Sequence, residues 1–478
     1  MKRTILSLLL LLLLLFVPFL SSCGAAEPVT KLYIYNWGEY MSLGNDGGVD
    51  VNDAFEAWYY ATTGRRVEVV YSVFASNEEM YAKLQNGSSK VDVIVPSEYM
   101  IERLMAEDKL LPLDFSLIGA YEDAIEERFR TLPTAPYCVP YTYGYLGLIY
   151  DESLDEVLRD ENGDISWRVL WNEIPGGVDL SGSILNFNNP RDAFGIAQFI
   201  LNYEKALAEG VTPGATDWYV NTTDHARWDE VGALMGGQKS CLQAYVMDEI
   251  YNKMEGGAAL LAPYYAGDYF TMVDVNERLC FAYPKEGTNF FYDAMCVPKS
   301  SKNPELAQTY INFMLGGTDG ESLDVAIENA EYVGYSSPNV RVSTNLDYLA
   351  DMTDDEEGYG EDALWILYPE SNYEHLFSLV EPYSEWRAAA GEDYDPEEYT
   401  GERPTVEMLS DMAGVMPTYI YTNLDNDTLR YSNDLWEALK LESAPCTEIY
   451  VLTGVIVAAL IAGAVFFYVR RKKRTAHY

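Results

Sequence analysis

Apolar and polar positions along this chain follow two rhythms. Short runs rich in β-branched and aromatic residues occur at Lys31–Asn36, Arg66–Phe74 and Val91–Val95, the last bounded by Pro96; each predicts a strand. Between them, Val51–Thr63 has helical spacing and stops at Gly64. Ser76-Asn77-Glu78-Glu79 reads as a capping box that opens a helix through Leu84, and Ile101–Glu107 is helical again. A second series runs from Leu146–Tyr150 through Ser183–Phe187 to a helix over Ala193–Leu207. A third pairs apolar runs near Ala258–Pro263 and Leu279–Tyr283 with a helix over Pro304–Leu315. Strands alternating with helices predict βαβ units around a buried parallel sheet, an α/β fold.

Two apolar stretches stand outside this alternation. At the start, Lys2-Arg3 precedes an apolar run from Ile5 to Leu20 and then Ser21-Ser22-Cys23-Gly24. A basic start with a short apolar run is a secretory signal. Leu20-Ser21-Ser22-Cys23 resembles the lipobox of bacterial lipoproteins, which implies a signal peptide over 1–23 and an acylated Cys23; the alternative is an ordinary signal peptide. Near the other end, Ile449–Val469 is 21 residues without a charge, about 31 Å as a helix, the thickness of a bilayer core. Arg470-Arg471-Lys472-Lys473-Arg474 follows. Basic residues stay cytoplasmic, so 449–469 is expected to be a transmembrane helix, 470–478 a cytoplasmic tail, and the rest an extracytoplasmic body at the cell membrane.

Charge narrows the partners. Seven of the 32 bases flank the two apolar ends, leaving 25 against all 75 acids. Such a body repels phosphate backbones, which excludes nucleic acid, and favours cations. Three histidines, His225, His375 and His477, lie far apart and argue against a histidine-built metal site. With Cys23 set aside, Cys138, Cys241, Cys280, Cys296 and Cys446 show no CxxC spacing, so neither zinc nor a redox motif is indicated. One or two disulfides are compatible with an extracellular chain, without a readable connectivity. Two acidic segments, Asp351–Asp362 and Gly391–Arg403, lack EF-hand spacing and read as solvated loops.

The candidate chemistry lies where aromatics and acids follow predicted strands. Tyr35–Tyr40, Pro96–Tyr99, Asn189–Asp192, Tyr264–Asp268, Phe290–Asp293 and Gly334–Asn339 all do so. Ligands of open α/β sheets bind outside the carboxyl ends of strands. Six such loops predict a box of π-faces with carboxylates at its ends. That suits an ammonium ligand, since rings attract cations and carboxylates accept from N⁺–H. Each element alone has a plainer role; Asp192, for example, suits a cap for the helix at Ala193.

Taken together, LYIYNWGEY (32–40), SNEEMYAKL (76–84), VDVIVPSEY (91–99), YPKEG (283–287), YSSPN (335–339) and YSNDLWEALK (431–440) resemble the spermidine/putrescine receptors of bacterial ABC importers. The resemblance spans roughly Lys31 to Leu441. It implies a two-lobed periplasmic-binding-protein fold of type II with hinge-crossing segments, closing on ligand. Lobe 1 would take 31–145 and 288–345; lobe 2 would take 146–287 and 346–445, the latter with the acidic insertions. Trp37 and Tyr40 match the family's first-loop aromatics, Ser97 and Tyr99 the second-loop pair, and Tyr335 the late tyrosine. Asp293 matches the acid that grips an amino group. Tyr265 stands where tryptophan is usual, Asp268 looks like the extra acid of putrescine binders, and Phe291 replaces another tryptophan. Asn189 stands for an aspartate and Asp192 for a glutamate, departures that weaken the site for a third ammonium and favour putrescine over spermidine.

The resemblance further implies a monomer without cofactor or metal, delivering polyamine to ABC permease subunits. Paired carboxylates such as Asp268 and Asp293 would also suit a surface-anchored glycoside hydrolase, and a receptor for another cationic solute is a third reading. GxSxG, HExxH and Walker patterns are absent from the sequence, which removes the commoner catalytic alternatives and leaves binding without turnover as the expectation.

Overall fold

A computed structural model describes residues 29–45, 47–86, 90–354, 358–360, 362–369, 371, 373–391, 394–409 and 416–441. The described residues divide into two compact units, the first drawn from those within Met1–Gly147, Tyr264–Phe281 and Asn289–Asn423, the second from those within Leu148–Pro263, Ala282–Thr288 and Leu424–Tyr478. Among the described residues the strands are numbered in chain order: β1 (Thr30–Trp37), β2 (Val67–Phe74), β3 (Val93–Ile94), β4 (Cys138–Asp151), β5 (Ile184–Phe187), β6 (Leu242–Val246), β7 (Leu261–Tyr265), β8 (Leu279–Ala282), β9 (Thr288–Cys296) and β10 (Thr418–Tyr419).

In the first unit the sheet runs β2-β1-β3-β9-β4. β1 pairs parallel with β2 and β3, whereas β9 pairs antiparallel with both β3 and β4. The inner strands are apolar on both faces, as a covered sheet requires: Leu32, Ile34, Val93 and Ile94 are buried. The helix Val51–Thr63 opens on Asp50, whose side chain accepts from the amides of Asn52 and Asp53, and closes on Gly64 at φ 70°, a left-handed stop that glycine adopts without Cβ strain. Its Phe55 meets Tyr310 and Phe313 of the helix Pro304–Met314 at ring separations of 4.9 and 5.4 Å. The capping box holds: Ser76 Oγ accepts from the Glu79 amide (3.1 Å) and the Glu79 carboxylate from the Ala75 amide (3.0 Å).

In the second unit β5 lies between β6 and β7, parallel to both. The helix Pro190–Glu209 begins with Asn189 as cap and proline at its first position, and ends at Gly210, φ 67°. Its Phe194 packs against Trp228 and Trp436, each 5.6 Å away. Those rings come from the helices His225–Gln238 and Asn426–Leu441.

The grouping of segments differs from the expected one in two places. Residues 264–281 and 346–423, assigned from the sequence to lobe 2, belong to the first unit. Side chains tie them there. The Tyr335 hydroxyl donates to Asp268 (2.8 Å), Ser336 Oγ to the Leu367 carbonyl (2.6 Å), and Tyr368 lies 6.5 Å from Tyr143. The acidic segments are also less free than solvated loops. Tyr359 packs on Phe270 at 4.4 Å, and the Tyr394 hydroxyl donates to Asp347 (2.8 Å). Cys23 and the apolar stretch 449–469 lie outside the described residues. Among the described residues no helix is long and apolar enough to cross a membrane.

Candidate functional site

The first unit gathers most of the aromatic and acidic residues singled out from the sequence. Construction begins with the loop after β1. Asn36 is buried; its Nδ2 donates to the Tyr40 carbonyl (3.2 Å) and its Oδ1 accepts from the Trp37 amide (2.9 Å). The Tyr141 hydroxyl donates to the same carbonyl (2.8 Å). Asn329 ties this to a helix, donating to Tyr141 (2.9 Å) and accepting from the Ser42 amide (3.1 Å). These bonds hold the turn, so the loop presents Trp37 and Tyr40 in fixed positions. The Trp37 indole N–H is anchored on the Val95 carbonyl (2.8 Å), and its ring lies 4.5 Å from Phe74.

Asp293 is the centre of the arrangement. It lies inside β9, opposite Thr142 of β4, just after a register shift between Pro140 and Thr142. Such a bulge re-aims side chains. The carboxylate is buried and accepts from two hydroxyls: Oδ2 from Tyr40 at 2.7 Å and Oδ1 from Ser97 at 2.6 Å. Tyr40 also hydrogen-bonds the Thr142 hydroxyl. Burial first, and then the Asp293 charge, push the Tyr40 phenol well above its usual pKa, so it remains a donor. Ser97 occupies the cap position of the helix Glu98–Ala106, yet its side chain caps nothing there and turns to Asp293 instead. Asn77 orients it: Nδ2 donates to Ser97 Oγ (3.0 Å) and to the Tyr99 hydroxyl (3.1 Å), while Oδ1 accepts from the Ser97 amide (3.2 Å).

The rings close around this carboxylate. Tyr40, Phe291, Val333 and Tyr335 form one buried cluster, with Trp37, Tyr141, Tyr265 and Tyr332 packed on it. Tyr40 and Tyr335 meet edge to face at 5.1 Å, Tyr265 and Phe291 at 5.3 Å, and Phe291 and Tyr335 at 6.0 Å. Asp268, in the first turn of the helix Ala266–Val275, accepts from the Tyr335 hydroxyl (2.8 Å). Two acid–tyrosine pairs thus stand back to back. Glycine is needed twice for the rings to fit: a Cβ on Gly267 would lie 2.2 Å from the Tyr335 ring, and one on Gly144 3.0 Å from Phe291.

Nine of the ten predicted residues, Trp37, Tyr40, Ser97, Tyr99, Tyr265, Asp268, Phe291, Asp293 and Tyr335, belong to this unit. The tenth, Asp192, is in the second unit, buried in the first turn of the helix Pro190–Glu209, with the Asn189 side chain on its carboxylate. Three placements differ from the sequence reading. Asp293 and Phe291 lie within a strand rather than after one, in a stretch buried without a break from Phe291 to Cys296. Gly334–Asn339 follows the helix Leu323–Val333, not a strand. Asn77, Tyr141, Thr142 and Asn329 were not singled out. Asn77 was legible in principle, as the only amide in the motif after β2; Tyr141 and Thr142 sit in a stretch that Pro140 and Gly144 disguised. No group of three or more metal-ligating side chains occurs among the described residues.

A two-unit α/β fold carrying a ring-lined acidic site defines a binding protein for a small solute. Residues 52–326 match the bacterial extracellular solute-binding protein family, and the chain belongs to it. Among its relatives, the spermidine/putrescine-binding periplasmic protein of Escherichia coli K12 is 27% identical over 328 residues, covering 67% of this chain and 80% of that one. The putrescine/cadaverine-binding protein of Pseudomonas aeruginosa is 26% identical over 341 residues, covering 68% and 84%. The crystal structure of the spermidine/putrescine ABC transporter substrate-binding protein of Streptococcus pneumoniae superposes with a TM-score of 0.56 at 25% identity, covering 87% of this chain and 100% of that one. The resemblance read from the sequence is thereby borne out, and with it the two-lobed α/β fold. These relatives are binding proteins, and the chain is a binding protein rather than an enzyme.

Proposed function

We propose that this protein captures a linear polyamine outside the cell and hands it to an ABC importer, with putrescine favoured over spermidine. One observation carries the reading: a buried carboxylate, Asp293, held between the hydroxyls of Ser97 and Tyr40 (2.6 and 2.7 Å) beside a cluster of aromatic rings. An anion so fixed offers an ammonium a charge-assisted bond worth roughly 1.5–3 kcal/mol, and a desolvated cation over a π-face adds about 2 kcal/mol. Asp268, back to back with it through Tyr335 and Tyr40, is a second anion suited to another ammonium. The names of the relatives in Escherichia coli and Pseudomonas aeruginosa point to the same ligands.

The preference for a diamine rests on Asn189, Asp192 and Phe291 standing for residues that suit a longer triamine. Attachment at the membrane, through an acylated Cys23 and the apolar stretch 449–469, rests on the sequence, and would keep the binding body close to its permease. A thermal-shift screen of the protein against putrescine, spermidine, amino acids and oligosaccharides tests the function. Stabilisation by the two amines alone is expected; stabilisation by a saccharide instead would favour the hydrolase reading.

A further inference from the structure

Cys138 opens β4 and Cys296 closes β9, and the two are direct partners in the antiparallel ladder. The hydrogen-bond pattern fixes what kind of pair they form. The Ala294 amide points away from β4, donating to the Pro96 carbonyl at 3.0 Å, and its partner Pro140 has no N–H to give. Successive pairs alternate, so Met295 and Val139 are the hydrogen-bonded pair and Cys296 and Cys138 the non-hydrogen-bonded one. Directly opposed residues of that kind have Cα atoms about 4.5 Å apart, inside the range of roughly 4.4–6.8 Å that a disulfide spans. Both cysteines are buried and stand as free thiols in the structure, Cys138 Sγ donating to the Thr134 carbonyl and Cys296 Sγ to the Ala294 carbonyl.

We infer that Cys138 and Cys296 form a cross-strand disulfide in the mature protein. Extracellular chains meet an oxidising supply of disulfides, and the family to which this chain belongs is extracellular; the inference does not depend on which solute is bound. The chemistry is thiol–disulfide exchange with an external small-molecule or protein disulfide. One cysteine, as thiolate, attacks that disulfide to give a mixed disulfide and release one thiol. The second cysteine then displaces the other, so one external disulfide yields the Cys138–Cys296 bond and two thiols. Both thiols are closed off from solvent in the folded protein, so the exchange takes place while β4 and β9 are still pairing. Its structural consequence is local: it locks the ladder register three residues from Asp293, on the far side of the bulge that sets Thr142 against that carboxylate.

The experiment is peptide mapping of the full chain, exported by a bacterial host, denatured and alkylated without reductant. A second sample is refolded in a mixture of oxidised and reduced glutathione, which makes the result independent of the host's oxidant. The expected result is a peptide pair joining Cys138 to Cys296 that disappears on reduction, while Cys241 and Cys280 are alkylated in full. The reduced protein should also melt about 5 °C lower or more. Full alkylation of Cys138 and Cys296 in the refolded sample, or either of them joined to another cysteine, would overturn the assignment. Putrescine binding by the reduced protein separates this result from the polyamine reading.

Discussion

Ser97 and Asp293 meet as an isolated antiparallel bridge, and the serine hydroxyl donates to the aspartate at 2.6 Å. The contact joins residues 196 positions apart. It makes the residue at the cap position of the helix Glu98–Ala106 a support for a buried anion. The serine's own partner, Asn77, and the opposing donor, Tyr40, complete a carboxylate whose position is settled before any ligand arrives.

Removing the charge alone should therefore be costly. Asp293→Asn keeps the shape of the side chain but loses the charge-assisted bond, and affinity for the amine is expected to fall at least ~10-fold. The exposed Asp123, changed to asparagine, should leave affinity unaltered. Calorimetric titration of both variants checks this; equal losses would mean that bulk charge attracts the ligand.

Asn77→Ala should act through its neighbours. Ser97 Oγ and the Tyr99 hydroxyl both lose their donor, so a loss of about 1–2 kcal/mol in stability or ligand binding is expected, with the Asn77→Asp variant also impaired because it cannot donate. Melting curves with and without putrescine read both effects.

Gly267→Ala introduces a Cβ 2.2 Å from the Tyr335 ring. Tyr335 must move, and its hydroxyl bond to Asp268 with it. Overpacking of this kind costs roughly 1–3 kcal/mol, and ligand affinity should fall in the same variant. A control at Gly177, φ 72° with no atom within 4 Å, should lose stability through backbone strain while binding normally.

A pH effect on stability is expected from Glu331, in the helix that carries Asn329 and Val333. Glu331 has its pKa raised from 4.5 to about 7 by burial and by Asp351, Glu328 and Asp347, with Arg387 opposing. Between those two values the folded state holds a proton that the unfolded chain has released. Its contribution to stability is full below about 4.5 and is lost as the pH rises through about 7. Glu331→Gln should flatten the melting temperature over that interval and raise it at pH 8; an unchanged profile would show that Glu331 titrates normally.

The fold was legible where local rules and burial agree. The capping box at Ser76, the stop at Gly64 and the strands β1 and β2 follow from side-chain spacing alone. The first half of β4 was hidden because Pro140, Gly144 and Gly147 punctuate it, and their reasons are non-local: a bulge, and the close approach of Phe291, Tyr335 and Phe281. The antiparallel entry of β9 and the attachment of 346–423 to the first unit depend on contacts between residues far apart in sequence, such as Ser336 with Leu367 and Tyr143 with Tyr368. Of the site, the rings and acids were readable as residue types. The amides and hydroxyls that hold them, Asn77, Thr142, Tyr141 and Asn329, have no periodic signature.

The central claim is that Asp293 and the surrounding rings bind a linear alkylamine through its ammonium groups. Isothermal titration of the protein with putrescine, spermidine and the uncharged 1,4-butanediol tests it most directly. Binding of both amines in the micromolar range, near −8 kcal/mol, with putrescine the tighter and no heat from the diol, is the predicted result. Equal binding of diol and diamine, or no heat from either amine, would contradict it.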